Sequence, residues 1–127
     1  MTQQYNLQKF EFVNKRRTNR GISIRGSGAI AFPAKLYDDN NIKNYKYVVL
    51  YLDKQQKLLG IHLTSDEEEK SRFSITHSKQ AYGGYITVHS FFKVNDIDPK
   101  KYAGEYPWKK ISFDGKDLFL INLNEKK

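Results

Sequence analysis

With 127 residues and no cysteine, the chain has room for a single domain spanning 1–127, and disulfides, thiolate catalysis and sulfur-ligated zinc are excluded. The apolar fraction is 39%, and seventeen of those residues are Tyr or Phe; aromatics bury large areas and favour pleated surfaces, so sheet is the first expectation. The net charge of +8 is unevenly spread: residues 1–35 carry seven basic side chains against Glu11 alone, and residues 36–127 carry fifteen against thirteen acids. MTQQYNLQKFEF lacks the basic start and apolar run of a signal peptide, and no stretch approaches the roughly 18 apolar residues of a membrane span, so a soluble cytoplasmic protein without a membrane partner is expected.

Residues 1–19 read as an N-terminal strand, Phe10 to Val13, followed by a basic loop. Four of the five basic residues between 15 and 25 are Arg (Lys15, Arg16, Arg17, Arg20, Arg25), and guanidinium is the side chain suited to bidentate phosphate contacts. Ile22 to Ile24 is a strand ended by Gly26-Ser27-Gly28, and Ala29 to Phe32 is a second. Pro33 suits the first position of a short helix that continues through Leu36 and Tyr37 and breaks at Asp38 to Asn41. Tyr47 to Asp53 is the strongest strand in the chain, with Leu58 to Thr64 as its hairpin partner across a four-residue link. Ser65 to Lys70 is an acidic solvated loop. The second half resumes with Phe73 to Thr76, a strand Tyr85 to Val88, a short helix capped by Ser90 and carrying Phe91, Phe92 and Val94, and a looser segment around Tyr102 to Trp108. It ends with strands Ile111 to Phe113 and Leu118 to Leu123 across the turn Asp114-Gly115-Lys116-Asp117, where Asp-Gly is a strong hairpin signal.

The halves correspond. Ile22-Ser23-Ile24 parallels Phe73-Ser74-Ile75, and Gly28 to Phe32 parallels Gly84 to Val88 at an offset of 56, which lays Leu36 on Phe92. Asn41-Ile42 falls near Asp96-Ile97, and Leu63 on Leu123. Each unit, about 20–64 and 73–123, is strand, glycine turn, strand, short helix, hairpin. Four short strands cannot bury an apolar face and both edges alone, so the expectation is a mostly β fold with short helices, a pseudo-twofold barrel closed by two repeats.

Gly28-Ala29-Ile30-Ala31-Phe32-Pro33-Ala34-Lys35-Leu36 followed by the hairpin YVVLYLDKQQKLLGIHL resembles the swapped-hairpin barrel of the AbrB and MraZ family of bacterial transcription regulators and antitoxins. In that family two units interlace, by dimerisation or by tandem repetition within one chain. The resemblance implies duplex DNA binding by basic side chains on the first strands and the loop between them, here Arg16, Arg17, Arg20 and Arg25, with Lys35. The family often has Arg directly after the glycine; this chain has Ala29 and Tyr85, and its second unit has no Arg cluster and only Lys79 near its turn, which implies one-sided or weak binding.

The three histidines, His62, His77 and His89, share no metal-ligand spacing and read as surface or edge residues. Gly26-Ser27-Gly28 lacks the spacing and Lys of a phosphate loop, and no motif frames a nucleophile. The expectation is a non-enzymatic protein without metal or cofactor, monomeric or homodimeric, that binds duplex DNA. The alternatives are a module using the basic face on an acidic protein partner, and a single-strand binder stacking bases on Tyr82, Tyr85, Tyr102, Tyr106 and Trp108 beside Lys100, Lys101, Lys109 and Lys110. Against stacking, such aromatics also seal the ends of small barrels.

Overall fold

Residues 21–78 and 83–127 are described by a computed structural model. Among them nine strands run antiparallel in one nearly closed barrel with two short α-helices. The strands are β1 (Ile22–Ile24), β2 (Ala29–Phe32), β3 (Tyr47–Asp53), β4 (Leu58–Thr64), β5 (Arg72–His77), β6 (Gly84–Thr87), β7 (Gly104–Tyr106), β8 (Trp108–Phe113) and β9 (Lys116–Asn122), and the helices are α1 (Ala34–Asp39) and α2 (His89–Val94). A 3₁₀ turn, Ile42–Asn44, follows α1.

The strand order is β7-β1-β2-β6-β5-β3-β4-β9-β8. The two strands at its ends, β7 and β8, are separated in the chain by Pro107 alone. Pro107 has no N–H to give a ladder. On one side of it Tyr106 pairs with Ile22 in β1, and on the other Trp108 pairs with Ile121 in β9. One bent strand therefore draws the ends of the sheet together, and β5 turns the opposite corner, pairing through Arg72–Ser74 with β3 and through Ile75–His77 with β6.

Inward positions alternate with outward ones, so every second residue of a strand enters one continuous core. Ile22, Ile30, Val48, Leu59 and Ile61 from the first half and Ile86, Val88, Phe92, Tyr106 and Ile121 from the second are all within 1% of full burial and belong to the same cluster. No described helix is long and apolar enough to cross a membrane.

Several boundaries differ from the sequence reading, each for a local reason. Pro33 sits at the cap of α1 with extended backbone, and its carbonyl accepts the Tyr37 N–H at 2.9 Å; Ala34 is the first helical residue. Ser90 does not cap α2. Val88 does, with no side-chain bond, because its side chain is fully buried and the core fixes where the chain leaves β6. β7 lies inside the segment read as loose, and the turn between β8 and β9 narrows to Asp114-Gly115, both at positive φ (52° and 75°) as a two-residue hairpin requires. Both helices end alike. The Asn40 side-chain amide donates to the Leu36 carbonyl at 2.9 Å and that of Asn95 to Phe91 at 2.8 Å; each is followed by a left-handed residue, Asn41 or Asp96, and then by Ile42 or Ile97 packed on the core.

Candidate nucleic-acid interface

Of the expected site residues, Lys15, Arg16, Arg17 and Arg20 lie outside the described residues, as do Phe10 to Val13, Lys79 and Tyr82. Arg25 and Lys35 lie within them. Arg25 opens the turn that joins β1 to β2: its N–H donates to the Ala29 carbonyl at 2.8 Å and its own carbonyl accepts from Gly28 at 2.9 Å. Those bonds hold the backbone and leave the side chain exposed. The guanidinium lies 5.5 Å from the ring centroid of Tyr85, an attractive placement worth about 0.5–1 kcal/mol at an exposed site. Tyr85 stands on β6 opposite Ala31 and Thr76. Its neighbours are small, so ring and cation stand above a low strand surface.

Two further polar side chains reach this turn. Lys100 packs its stem beside Gly26, with Cγ 3.6 Å from where a Cβ there would stand. The imidazole of His89, at the start of α2, lies against Gly28, where an added Cβ would come within 3.2 Å of Nδ1. Arg25, Tyr85, His89 and Lys100 thus gather around one hairpin turn. Sequence reasoning placed Lys100 with the aromatics of the second half and did not join it to Arg25, because the two are 75 positions apart.

Lys35 belongs to a different setting. Its ammonium contacts the Asp39 carboxylate at 2.8 Å, one helical turn ahead on α1, with both side chains more than half exposed. Such an i,i+4 pair contributes a few tenths of a kcal/mol to the helix, and Lys35 is partly neutralised where it stands.

The aromatics divide. Tyr106 is fully buried, and its hydroxyl donates to the Tyr102 carbonyl at 2.6 Å; burial, with Tyr102 beside it, pushes its phenol up to about 12. Trp108 packs edge-on against Phe119 at 5.5 Å. Tyr106 therefore presents no face for base stacking, while Trp108 is half-buried and packs on the edge of the core.

The histidines also separate. His77, read as a surface residue, is half-buried between Tyr37 and Tyr45. The Tyr45 carbonyl can only accept, so Nε2 of His77 donates to it at 2.9 Å, and in the neutral ring Nδ1 accepts the Tyr37 hydroxyl at 2.6 Å. Burial, and then Asp38, raises the Tyr37 phenol. His62 is partly buried, with Nδ1 bonded to the Asp117 carbonyl at 2.9 Å. Among the described residues no group of three or more His, Asp or Glu side chains could hold a metal ion. Comparison with family models, with curated proteins and with solved structures found no match.

Proposed function

We propose that this protein binds nucleic acid, most readily duplex DNA, as a regulator of the AbrB and MraZ swapped-hairpin kind, holding phosphates with Lys15, Arg16, Arg17, Arg20 and Arg25. The observation that carries the reading is the charge distribution. Six of the eight net positive charges fall in residues 1–35, and the last Arg of the series stands exposed over Tyr85 with Lys100 beside its turn. Lys100 extends the cationic surface, and Lys35, held by Asp39, adds little.

The swapped-hairpin part of the reading has its own support in the register. Exchanging β1, β2, β3 and β4 for β5, β6, β7–β8 and β9 returns the same circular strand order, traversed in reverse, once β7 and β8 count as one strand bent at Pro107. Ile30 pairs directly with Ile86, its counterpart at offset 56, and Ile24 pairs with Ile30 as Ile75 pairs with Ile86. Tyr47 faces Ser74 where Glu105 faces Ser23, an offset of 58, and the pairing of β4 with β3 and of β9 with β8 gives that same offset.

The test is a gel-shift series across salt concentrations with duplex DNA, single-stranded DNA and RNA. Duplex affinity is expected to fall linearly on a log–log plot, and replacing Arg16, Arg17 and Arg20 by Ala is expected to flatten the slope by roughly one unit for each phosphate no longer neutralised. Salt-independent binding, or none at low salt, overturns the reading. Capture of an acidic protein that survives nuclease treatment would move the function to a protein partner.

A further inference from the structure

The outer face of the barrel is small and polar on one side and apolar on the other. Across β1, β2, β6 and β5 an outward row reads Ser23, Ala31, Tyr85 and Thr76. Across β4, β9 and β8 the outward positions hold Leu58, Leu120, Leu118, Ile111 and Phe113, on the face opposite Leu59, Phe119 and Ile121 of the core. A sheet face turned to water normally carries polar residues, so these side chains call for a cover. At one end they supply their own: Leu118 lies against Gly60 and is 3% exposed, and Tyr51 meets Phe113 edge-on at 6.1 Å. At the other end Leu58 and Leu120 are only half-buried and line a groove of about 230 Å³ with Pro107. Lys109 and Glu125 supply the one base and the one acid of that groove.

Two observations say which cover fits. The first is where the chain enters. Gly21, the first described residue, continues the β1–β7 register to a place opposite Pro107; the Tyr106 carbonyl leaves no room for a Cβ there, and the Gly21 N–H donates to the Glu105 carboxylate at 3.2 Å. Residues 1–20 therefore join the barrel beside a residue that lines the groove. Seven residues, Asn14 to Arg20, separate Gly21 from Val13 and reach about 23 Å when extended, against about 10 Å for two strand spacings from β1 to the groove. The second is the pattern of that segment. Phe10 and Phe12 fall about 7 Å apart on an extended chain, and Leu58 and Leu120, diagonal neighbours across the β4–β9 ladder, are about 7–8 Å apart. Phe10 is flanked by one base and one acid, Lys9 and Glu11, as the groove is lined by one of each. A second copy is a poorer cover, because β8 is an edge strand among the described residues and Lys109 and Lys110 on it would meet like charge.

We infer that the chain's own N-terminal segment docks in this groove, Phe10 on Leu58 and Phe12 on Leu120, with Lys9 toward Glu125 and Glu11 toward Lys109. Asn14 to Arg20, with Lys15, Arg16, Arg17 and Arg20, then form a loop tied to the barrel at both ends. The docking does not rest on the nucleic-acid reading, and a failure of duplex binding leaves it standing.

The experiment places a single nitroxide on the full ¹⁵N-labelled chain, which has no cysteine of its own. Gln55→Cys puts the label on the exposed β3–β4 turn near Leu58, and Glu68→Cys puts it in the exposed loop beyond Thr64, at the other end of β4 and about 20 Å along the strand. The label at 55 is expected to erase the amide signals of Lys9 to Val13, and the label at 68 to leave them. Phe10→Ser combined with Phe12→Ser should restore the erased signals and shift the amides of Leu58 and Leu120, the rest of the spectrum being unchanged; Leu120→Lys, a change on the groove side, should restore them too. Signals that survive the label at 55, that weaken alike with both labels, or that stay erased in both variants overturn the inference. Erasure at full strength when the nitroxide is carried by a separate unlabelled chain also overturns it, by making a second copy the cover.

Discussion

Tyr106 shows how one side chain ties the closure of the barrel to pH. Its ring fills the core opposite Ile22, and its hydroxyl donates to the Tyr102 carbonyl. Ionising it would leave a buried phenolate facing an acceptor, which is why burial raises it to about 12 from an ordinary 10.0. A folded value above the unfolded one means that the native state holds its proton more tightly. The resulting stability is fully present below pH 10 and lost as pH climbs towards 12. Tyr37 moves in the same direction. In urea titrations from pH 8 to 12, the wild type is expected to lose stability steeply across that upper window. Tyr106→Phe is expected to be weaker by about 1 kcal/mol at pH 8, through the missing hydrogen bond, and to decline less steeply above pH 10. Equal slopes would place the alkaline loss elsewhere. At this same scale the site was only partly legible. The run of Arg is visible in composition, and the i,i+4 spacing of Lys35 and Asp39 was a readable signal of their pairing. The approach of Lys100 and His89 to the turn of Arg25 has no local signature, because it is made by β6, α2 and the segment after α2 meeting a hairpin from the other half.

Elements were legible where local chemistry decides them and obscure where a distant partner does. Tyr47–Asp53 and Leu58–Thr64 match the expected boundaries, since β-branched and aromatic alternation on both sides of a polar link leaves few other structures. Asp-Gly marked the hairpin, while β8 begins three residues and β9 two residues earlier than expected. β7 could not be read from Gly104-Glu105-Tyr106, because its only partner among the described residues is β1, 80 to 84 positions away, and Pro107 follows it. The helices are the weakest elements. Each has six residues, too few to be stable by propensity, so a buried Leu36 or Phe92 and the Asn that ends the helix must hold it. Asn40→Ala and Asn95→Ala each remove one bond to a helical carbonyl, and each is expected to cost about 0.5–1.5 kcal/mol in chemical denaturation, with the pair additive because the sites are separate. If either substitution is neutral, the left-handed residue after it suffices to end the helix.

At the scale of the whole molecule, strand order decides what can fold. Within residues 21–64 the β1–β2 hairpin touches β7 and β6, and the β3–β4 hairpin touches β5 and β9; the two hairpins of this half never pair with one another. The same holds for β5–β6 and β8–β9 in the second half, which meet only through strands of the first. Two-stranded hairpins are marginal alone in water, and here each pairs with strands of the other half, on both sides for three of them and through β9 alone for β8–β9. The core follows the same division, Ile22, Ile30 and Leu59 closing against Ile86, Tyr106 and Ile121. Cutting the chain in the exposed loop at Glu68 should therefore give two fragments that are unfolded separately by circular dichroism and recover the native spectrum when mixed. Their melting temperature should rise with concentration, as binding equilibria require. A monomeric fragment that folds alone would show that hairpins of one half can hold each other, which the strand order forbids. A fragment that folds only as a homodimer would show instead that one unit can stand in for the other across the same interface, and its strand pairing, read from cross-strand amide contacts, should then repeat Ile30 against its own copy in place of Ile86.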